Sequence, residues 1–408
     1  MKLSSYNIVI PYKDNKYLLF NTISSAFALV DSSQYVSTNE DLIKGGFLVS
    51  DDCNELLLHQ YRYLSSLFLS NKLNLTIATT MNCNFACPYC FEDGNKKGMA
   101  MQADVIDAIN TFLSTKKNKP ISITWFGGEP FLNWNAIDSI SRFLIDNNIQ
   151  FQSNAITNGS LLPKEIILKL DLYHIKWIQV TLDGPRNIHN KKRFYKNGKG
   201  SYDIIISNIG NVLKYSQCDV IIRVNLDKTN INDYSALKDE INQIFGQSIK
   251  NKRLRLWPNY VRDRTSFDIC SNCLSPEEYY DFETTESDYR PKIPSIVGPC
   301  PFRSMSSFCI APDGEIYKCW EQLGNHLHSV GNIVTGRLNL YRQADYALSA
   351  LPFDNEKCVN CKILPICGGG CSIDARKNTL EDQNINLCPI EKERLNDILI
   401  QYYEKNYV

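Results

Sequence analysis

The 408-residue sequence has no excess of either charge, with Lys+Arg and Asp+Glu at 44 each. A chain without a net field has nothing in its composition that favours nucleic acid or a membrane surface as partner. No apolar run approaches the length that crosses a bilayer, and Met1–Tyr17 lacks the pattern of a signal peptide. The expected location is the cytoplasm, where thiols stay reduced and structural disulfides are rare. Against these absences stand 15 cysteines. Ten of them, Cys83, Cys87, Cys90, Cys300, Cys319, Cys358, Cys361, Cys367, Cys371 and Cys388, fall into metal-ligand spacings. That concentration predicts several metal centres and an oxygen-poor setting. The length predicts two or three domains.

The chemistry is organised around Cys83-Asn84-Phe85-Ala86-Cys87-Pro88-Tyr89-Cys90, directly after the apolar, β-branched run Leu73–Thr80. Three thiolates this close hold three corners of a cubane iron–sulfur cluster and leave one iron open. An open coordination position is where a substrate or cofactor binds. A zinc site or buried core cysteines are the alternatives. The spacing, with aromatic Tyr89 before the third cysteine, resembles the cluster motif of the radical S-adenosylmethionine (SAM) superfamily. The resemblance implies that the open iron chelates the methionine part of SAM and that an electron cleaves it to a 5′-deoxyadenosyl radical.

From Leu73 onward the chain alternates strand and helix. Strands are expected at Leu73–Thr80, Ile121–Phe126, Phe151–Thr157, Trp177–Leu182, Asp219–Leu226 and Arg253–Pro258. Helices are expected at Ala103–Thr115, Trp134–Asn147, Lys164–Tyr173 and Tyr202–Tyr215. Such alternation argues an α/β fold with a parallel sheet, and six units match the partial (β/α)6 barrel of the family. Ligands in β/α barrels sit at the C-terminal strand ends. There lie Gly127-Gly128-Glu129-Pro130, Thr157-Asn158-Gly159 and Asp183-Gly184, with Arg223 and Asn225 sharing one face of the fifth strand. The first of these resembles the family's GGEP turn, which implies that Glu129 accepts the SAM ammonium. By the same resemblance Thr157, Asn158, Asp183, Arg223 and Asn225 contact the SAM ribose and carboxylate. Ordinary turns and structural hydrogen bonds remain the alternative for each. Trp257 is equally readable as core or as substrate wall.

Residues 1–72 read as a short hairpin, Tyr6–Pro11 with Lys16–Asn21, a strand signal at Gly46–Val49 and a helix over Asn54–Ser70. They resemble the small winged-helix domains that recognise leader peptides, or form a plain cap on the barrel of residues 73–260. Residues 261–297 read as an irregular bridge, with a lone Cys270-x2-Cys273 pair. Residues 298–408 carry Cys300, the hairpin Ser307–Lys318, Cys319, Cys358-x2-Cys361-x5-Cys367-x3-Cys371 and Cys388, then a helix over Ile390–Glu404. That cysteine order resembles the SPASM domain of radical SAM peptide maturases, with zinc as the alternative occupant. It implies one auxiliary 4Fe-4S cluster on Cys358, Cys361, Cys367 and Cys388, and a second on Cys300, Cys319 and Cys371. The second then needs a fourth partner from Cys309, Cys270 or Cys273, or stays open to a substrate cysteine.

Together these signatures imply three 4Fe-4S clusters, SAM, an electron donor such as flavodoxin or ferredoxin, and a precursor peptide with a leader. The expected product is a thioether or carbon–carbon cross-link in that peptide. Two alternatives stand beside it. One is an anaerobic sulfatase-maturing, formylglycine-generating enzyme, which wants Asp after the cysteine at position 319 where this chain has Trp320. The other is a non-catalytic zinc- or peptide-binding module.

Overall fold

Six parallel strands follow one another in chain order: β1 (Leu73–Thr80), β2 (Ile121–Gly127), β3 (Phe151–Thr157), β4 (Ile175–Thr181), β5 (Asp219–Leu226) and β6 (Leu254–Tyr260). Each pairs in parallel with the next. The computed structural model describes residues 1–31, 39–92, 98–261, 272–286, 297–388 and 391–408. Its contacts group the chain into two compact units, one of residues 71–282 with 306–342, the other of residues 1–70, 283–305 and 343–408.

The first unit is the expected α/β sheet. Strand alternation sorts its residues by face. On β5, Val220, Ile222, Val224 and Leu226 join the core beneath the helices, while Arg223 and Asn225 remain half-buried on the other face. Helices Ala103–Ser114 and Trp134–Asp146 close the same core through Ile109, Leu113, Ile137, Ile140 and Leu144, all fully buried. Burial of each such side chain contributes about 1.5–3 kcal/mol, and truncating one, as in Ile140→Ala, costs about 2–5 kcal/mol. The helix expected over Lys164–Tyr173 stops at Ile167, and turns carry the chain on to His174, whose φ is 51°.

Beyond β1 the sheet gains a seventh parallel strand, β7 (Ser307–Ile310), registered Ser307↔Asn74 to Ile310↔Ile77. Antiparallel strands β8 (Glu315–Tyr317), β9 (Gly331–Asn332) and β10 (Arg337–Leu338) complete ten. Within the stretch read as an irregular bridge, Pro276–Thr285 is helical. Ser275 and Glu278 exchange side-chain and backbone hydrogen bonds at its start, a capping box. Tyr279 packs its ring on Tyr260, 4.9 Å between centroids.

The second unit holds a three-stranded antiparallel sheet of Asn7–Pro11, Lys16–Asn21 and Phe27–Asp31, the last not anticipated. Helix Glu55–Phe68 starts at Asn54, whose side chain accepts from the Leu57 amide. The unit's core joins the chain's two ends: Leu18 and Phe20 pack with Ile363, Leu395 and Leu399, the last two from helix Glu391–Tyr407. Among the described residues no helix is long and apolar enough to cross a membrane.

Candidate functional site at the strand ends

The cysteine loop is stitched to β2 by backbone bonds. The amides of Gly128 and Glu129 donate to the carbonyls of Thr80 and Asn82 at 3.0 and 2.9 Å. A Cβ on Gly127, whose φ is 120°, would lie 2.1 Å from the Thr80 oxygen, and one on Gly128 2.5 Å from the Asn82 oxygen. Only glycine allows this approach. Phe85, 1% exposed, anchors the loop in the core against Tyr195. The Ala86 amide donates to the Phe194 carbonyl and the Lys196 amide to the Asn84 carbonyl, at 2.9 and 3.1 Å.

Cys83, Cys87 and Cys90 are half-buried on this loop and none of them is in a disulfide. The Cys83 sulfur accepts from the Phe85 amide at 3.4 Å and from Asn158 Nδ2 at 3.8 Å. Its pKa is pushed up to about 11, first by burial and further by Glu129 and Cys87, with the Phe85 amide and Arg193 opposing. Grouped thiols and a carboxylate that resist ionising together are a donor set suited to a cationic centre, and an iron–sulfur cluster fits it. Among the described residues no three His, Cys, Asp or Glu side chains are arranged to hold a single metal ion.

Glu129 is fully buried. Its Oε1 accepts from Thr157 Oγ1 and the Phe131 amide at 2.7 and 3.1 Å, and its Oε2 from the Asn158 amide at 2.7 Å. Burial raises its pKa despite these donors and Arg193. Pro130 opens the 3-10 turn that follows, its carbonyl held by Thr79 Oγ1 at 2.8 Å. Thr157 and Asn158 thus spend hydrogen bonds on Glu129, Cys83 and, at 2.7 Å, Asn84 Oδ1.

A second cluster of polar groups gathers at the ends of β4 and β5. Tyr89 donates to Asp183 Oδ2, and Arg193 Nη1 donates to the Tyr89 oxygen at 2.8 Å. Asp183 Oδ1 accepts from the Asn225 amide at 2.9 Å, and Arg223 Nε donates to Asn225 Oδ1 at 3.1 Å. The Arg223 guanidinium lies 5.2 Å over the ring of Trp257, itself 48% exposed. Burial raises the pKa of Asp183, with Arg193 the main opposing charge. Burial also penalises the Arg193 cation, yet Tyr89, Cys87 and Asp183 hold its pKa above the ordinary value. Arg193 was invisible as a site residue in the run Lys191-Lys192-Arg193, which reads as a solvated face. Its Nε is enclosed and has no hydrogen-bond partner among the described residues.

The cysteine-rich half divides between the units. Cys358, Cys361, Cys367 and Cys388 come close enough for the Cys358 thiol to feel the other three and for Cys367 to feel Cys388 and Cys361. The amides of Gly369 and Gly370 bond to the Cys367 sulfur, which φ values of 84° and 77° make possible. Cys300 and Cys371 interact with each other. Cys319 belongs to the other unit, where it directly precedes the 3-10 turn Trp320–Gln322. Cys309 is buried in β7. Cys270 lies outside the described residues, and Cys273 is disulfide-bonded, an exception to the expected rarity of disulfides.

The trp ring after Cys319 has a defined place: Trp320 stacks on Phe126 of β2. The Radical SAM superfamily model matches residues 77–239, which span the cysteine loop and the ends of β1 to β5. The chain is 22% identical, over 88% of its length and 82% of the relative's, to the radical SAM cyclopropyl synthase TigE of Paramaledivibacter caminithermalis. It is 24% identical, over 75% and 89%, to a cysteine-type anaerobic sulfatase-maturating enzyme of Clostridium novyi. To the mycofactocin maturase MftC of Mycolicibacterium smegmatis it is 22% identical, over 73% and 77%. Among solved structures it superposes on anSMEcpe with bound AdoMet at a TM-score of 0.61, 18% identical, covering 82% of this chain and 97% of that one. On Streptococcus suis SuiB bound to its precursor peptide SuiA the TM-score is 0.57, 16% identical, covering 91% and 96%. The fold is that of these enzymes, and residues 77–239 of this chain form a radical SAM domain.

Proposed function

We propose that this protein cleaves SAM reductively and oxidatively modifies a ribosomally made precursor peptide, leaving a thioether or carbon–carbon cross-link. The observation that carries the reading is the convergence of five strand ends on the loop of Cys83, Cys87 and Cys90. These thiolates would hold a 4Fe-4S cluster which, loaded with SAM, supplies a 5′-deoxyadenosyl radical. The chain's own residues do the rest. Glu129, buried beside Cys83, offers its carboxylate to the SAM ammonium. Arg193 and Arg223 offer guanidinium donors to the SAM carboxylate, for which a planar fork is suited. Tyr89, Asp183 and Asn225 fix the mouth of the site between them. Trp257 and Trp320 give it apolar walls.

The ten cysteines are read as ligands of three clusters, two of them auxiliary, and residues 1–72 as the leader-binding segment. A flavodoxin or ferredoxin would deliver the electron. SuiB was solved with a precursor peptide and MftC is named a maturase, which supports a peptide substrate. A cyclopropyl synthase closes a carbon–carbon bond, so the likeness to TigE adds weight to that product beside the thioether. Protein reconstituted without oxygen should be brown, hold roughly twelve irons if all three cubane sites fill, and convert SAM to 5′-deoxyadenosine under a strong reductant. Replacing Cys83, Cys87 and Cys90 together should abolish that conversion and about a third of the iron. Colourless protein with stoichiometric zinc would overturn the reading.

A further inference from the structure

Arg303 is 1% exposed, yet among the described residues no carboxylate forms an ion pair with it. Its three nitrogens go to neutral acceptors: Nε to Ser372 Oγ at 3.0 Å, Nη1 to the Ser349 carbonyl at 2.6 Å, and Nη2 to the Ala350 carbonyl at 2.7 Å. Nearby Arg376 shows the contrast, with Asp345 as its ion-pair partner at 2.7 Å. Burial pulls the Arg303 pKa down, and Asp354 acts on it only weakly through space. A buried charge without a counter-charge is costly unless an anion is meant to sit beside it.

Two candidate cluster ligands flank this guanidinium. Arg303 follows Cys300 by three residues, and its amide donates to the Cys300 carbonyl at 2.8 Å. Ser372 follows Cys371. Its hydroxyl accepts from Arg303 Nε and bonds to the Cys300 sulfur, which also accepts from the Phe302 amide. One serine therefore links the cation to a ligand thiol, and the neighbouring residue is a second ligand. The Ser349 and Ala350 carbonyls follow helix Leu340–Leu348, so Arg303 also caps that helix. A cap explains two of its three bonds and leaves the link to Cys300 unexplained.

We infer that Arg303 is the fixed counter-charge of the auxiliary cluster shared by Cys300 and Cys371, and that with Ser372 it holds that cluster's reduction potential up. This rests on the auxiliary-cluster reading above. Reduction makes a cluster more negative, so a fixed neighbouring cation favours the reduced form, and cluster potentials follow net charge and hydrogen bonds to sulfur. Arg303 is a positioning residue: it acts through the ligands.

The test compares full-length Arg303→Gln and Arg303→Lys after anaerobic reconstitution, by iron content and by potentiometric titration followed with electron paramagnetic resonance. In Arg303→Gln one auxiliary midpoint should move to more negative potential by at least a tenfold change in the one-electron equilibrium, about 59 mV. Iron and the other midpoints should stay as in wild type, and Arg303→Lys should keep most of the wild-type potential. Full iron with unmoved midpoints in Arg303→Gln would overturn the inference and leave the auxiliary clusters standing. Wild-type protein without any auxiliary-cluster signal would overturn the reading beneath it. Should Arg303→Gln fail to fold, Ser372→Ala removes only the hydroxyl link. It should give a smaller shift of the same sign, and an unmoved midpoint there counts equally against the inference.

Discussion

Trp320 stacks on Phe126, with ring centroids 5.6 Å apart and planes 19° apart. Phe126 directly precedes Gly127-Gly128-Glu129, so the residue after Cys319 stands beside the turn proposed to bind SAM. A formylglycine-generating site wants a carboxylate at that position, and here it is an indole, 42% exposed. An exposed ring over a fixed partner is suited to an apolar part of a peptide. Aromatic contacts contribute about 0.5–1.5 kcal/mol beyond burial. Trp320→Ala should therefore raise the peptide KM by about two- to tenfold and leave SAM affinity unchanged. A lower melting temperature with an unmoved KM would make the pair structural.

Glu129 gives a test in two variables. Its replacement by Ala removes a charge-assisted hydrogen bond of about 1.5–3 kcal/mol, so SAM affinity should fall at least tenfold by calorimetry while the cluster spectrum persists. Because burial raises its pKa, wild-type affinity should fall with acidification at a pH above the ordinary carboxylate range, as the carboxylate takes up its proton. That dependence should vanish in Glu129→Ala. Its stability contribution has the opposite sense: the folded state favours the protonated form, so the contribution is present at low pH and lost as pH rises through the raised pKa. Equal affinities across pH for both proteins would remove Glu129 from the site.

Tyr89 ties the cysteine loop to the fourth strand through Asp183 and to Arg193. Tyr89→Phe keeps the ring and deletes both bonds. Hydrogen bonds to charged groups contribute about 1.5–3 kcal/mol, and Asp183 is fully buried. The urea midpoint should drop accordingly, with iron binding retained. An unchanged midpoint would mean the network is replaced by solvent.

The strands were legible because each is a β-branched or aromatic run ended by a turn, as Leu73–Thr80 and Phe151–Thr157 show with bounds identical to those expected. The pairing of Ser307–Ile310 with β1 was not, since a partner more than 200 residues away leaves no local pattern. The Pro276–Thr285 helix was hidden by its acidic residues, although Ser275-Pro276-Glu277-Glu278 carries a capping signal. Among site residues, spacing marked the cysteines and Glu129. Arg193 needed the fold, because no spacing in Lys191-Lys192-Arg193 marks it and only the folded chain brings its guanidinium to the Tyr89 hydroxyl.

Radical chemistry that ends in a cross-link within a peptide is read from the mass of the reacted precursor peptide. Each link removes two hydrogens and adds no oxygen, so the peptide should lose about two mass units per link. A thioether also makes the consumed cysteine resist alkylation, since the free thiolate is the nucleophile, whereas a carbon–carbon link leaves every cysteine alkylatable. Either pattern is a cross-link. A peptide that instead loses the sulfur of a cysteine and gains an aldehyde would be a formylglycine product and would contradict it.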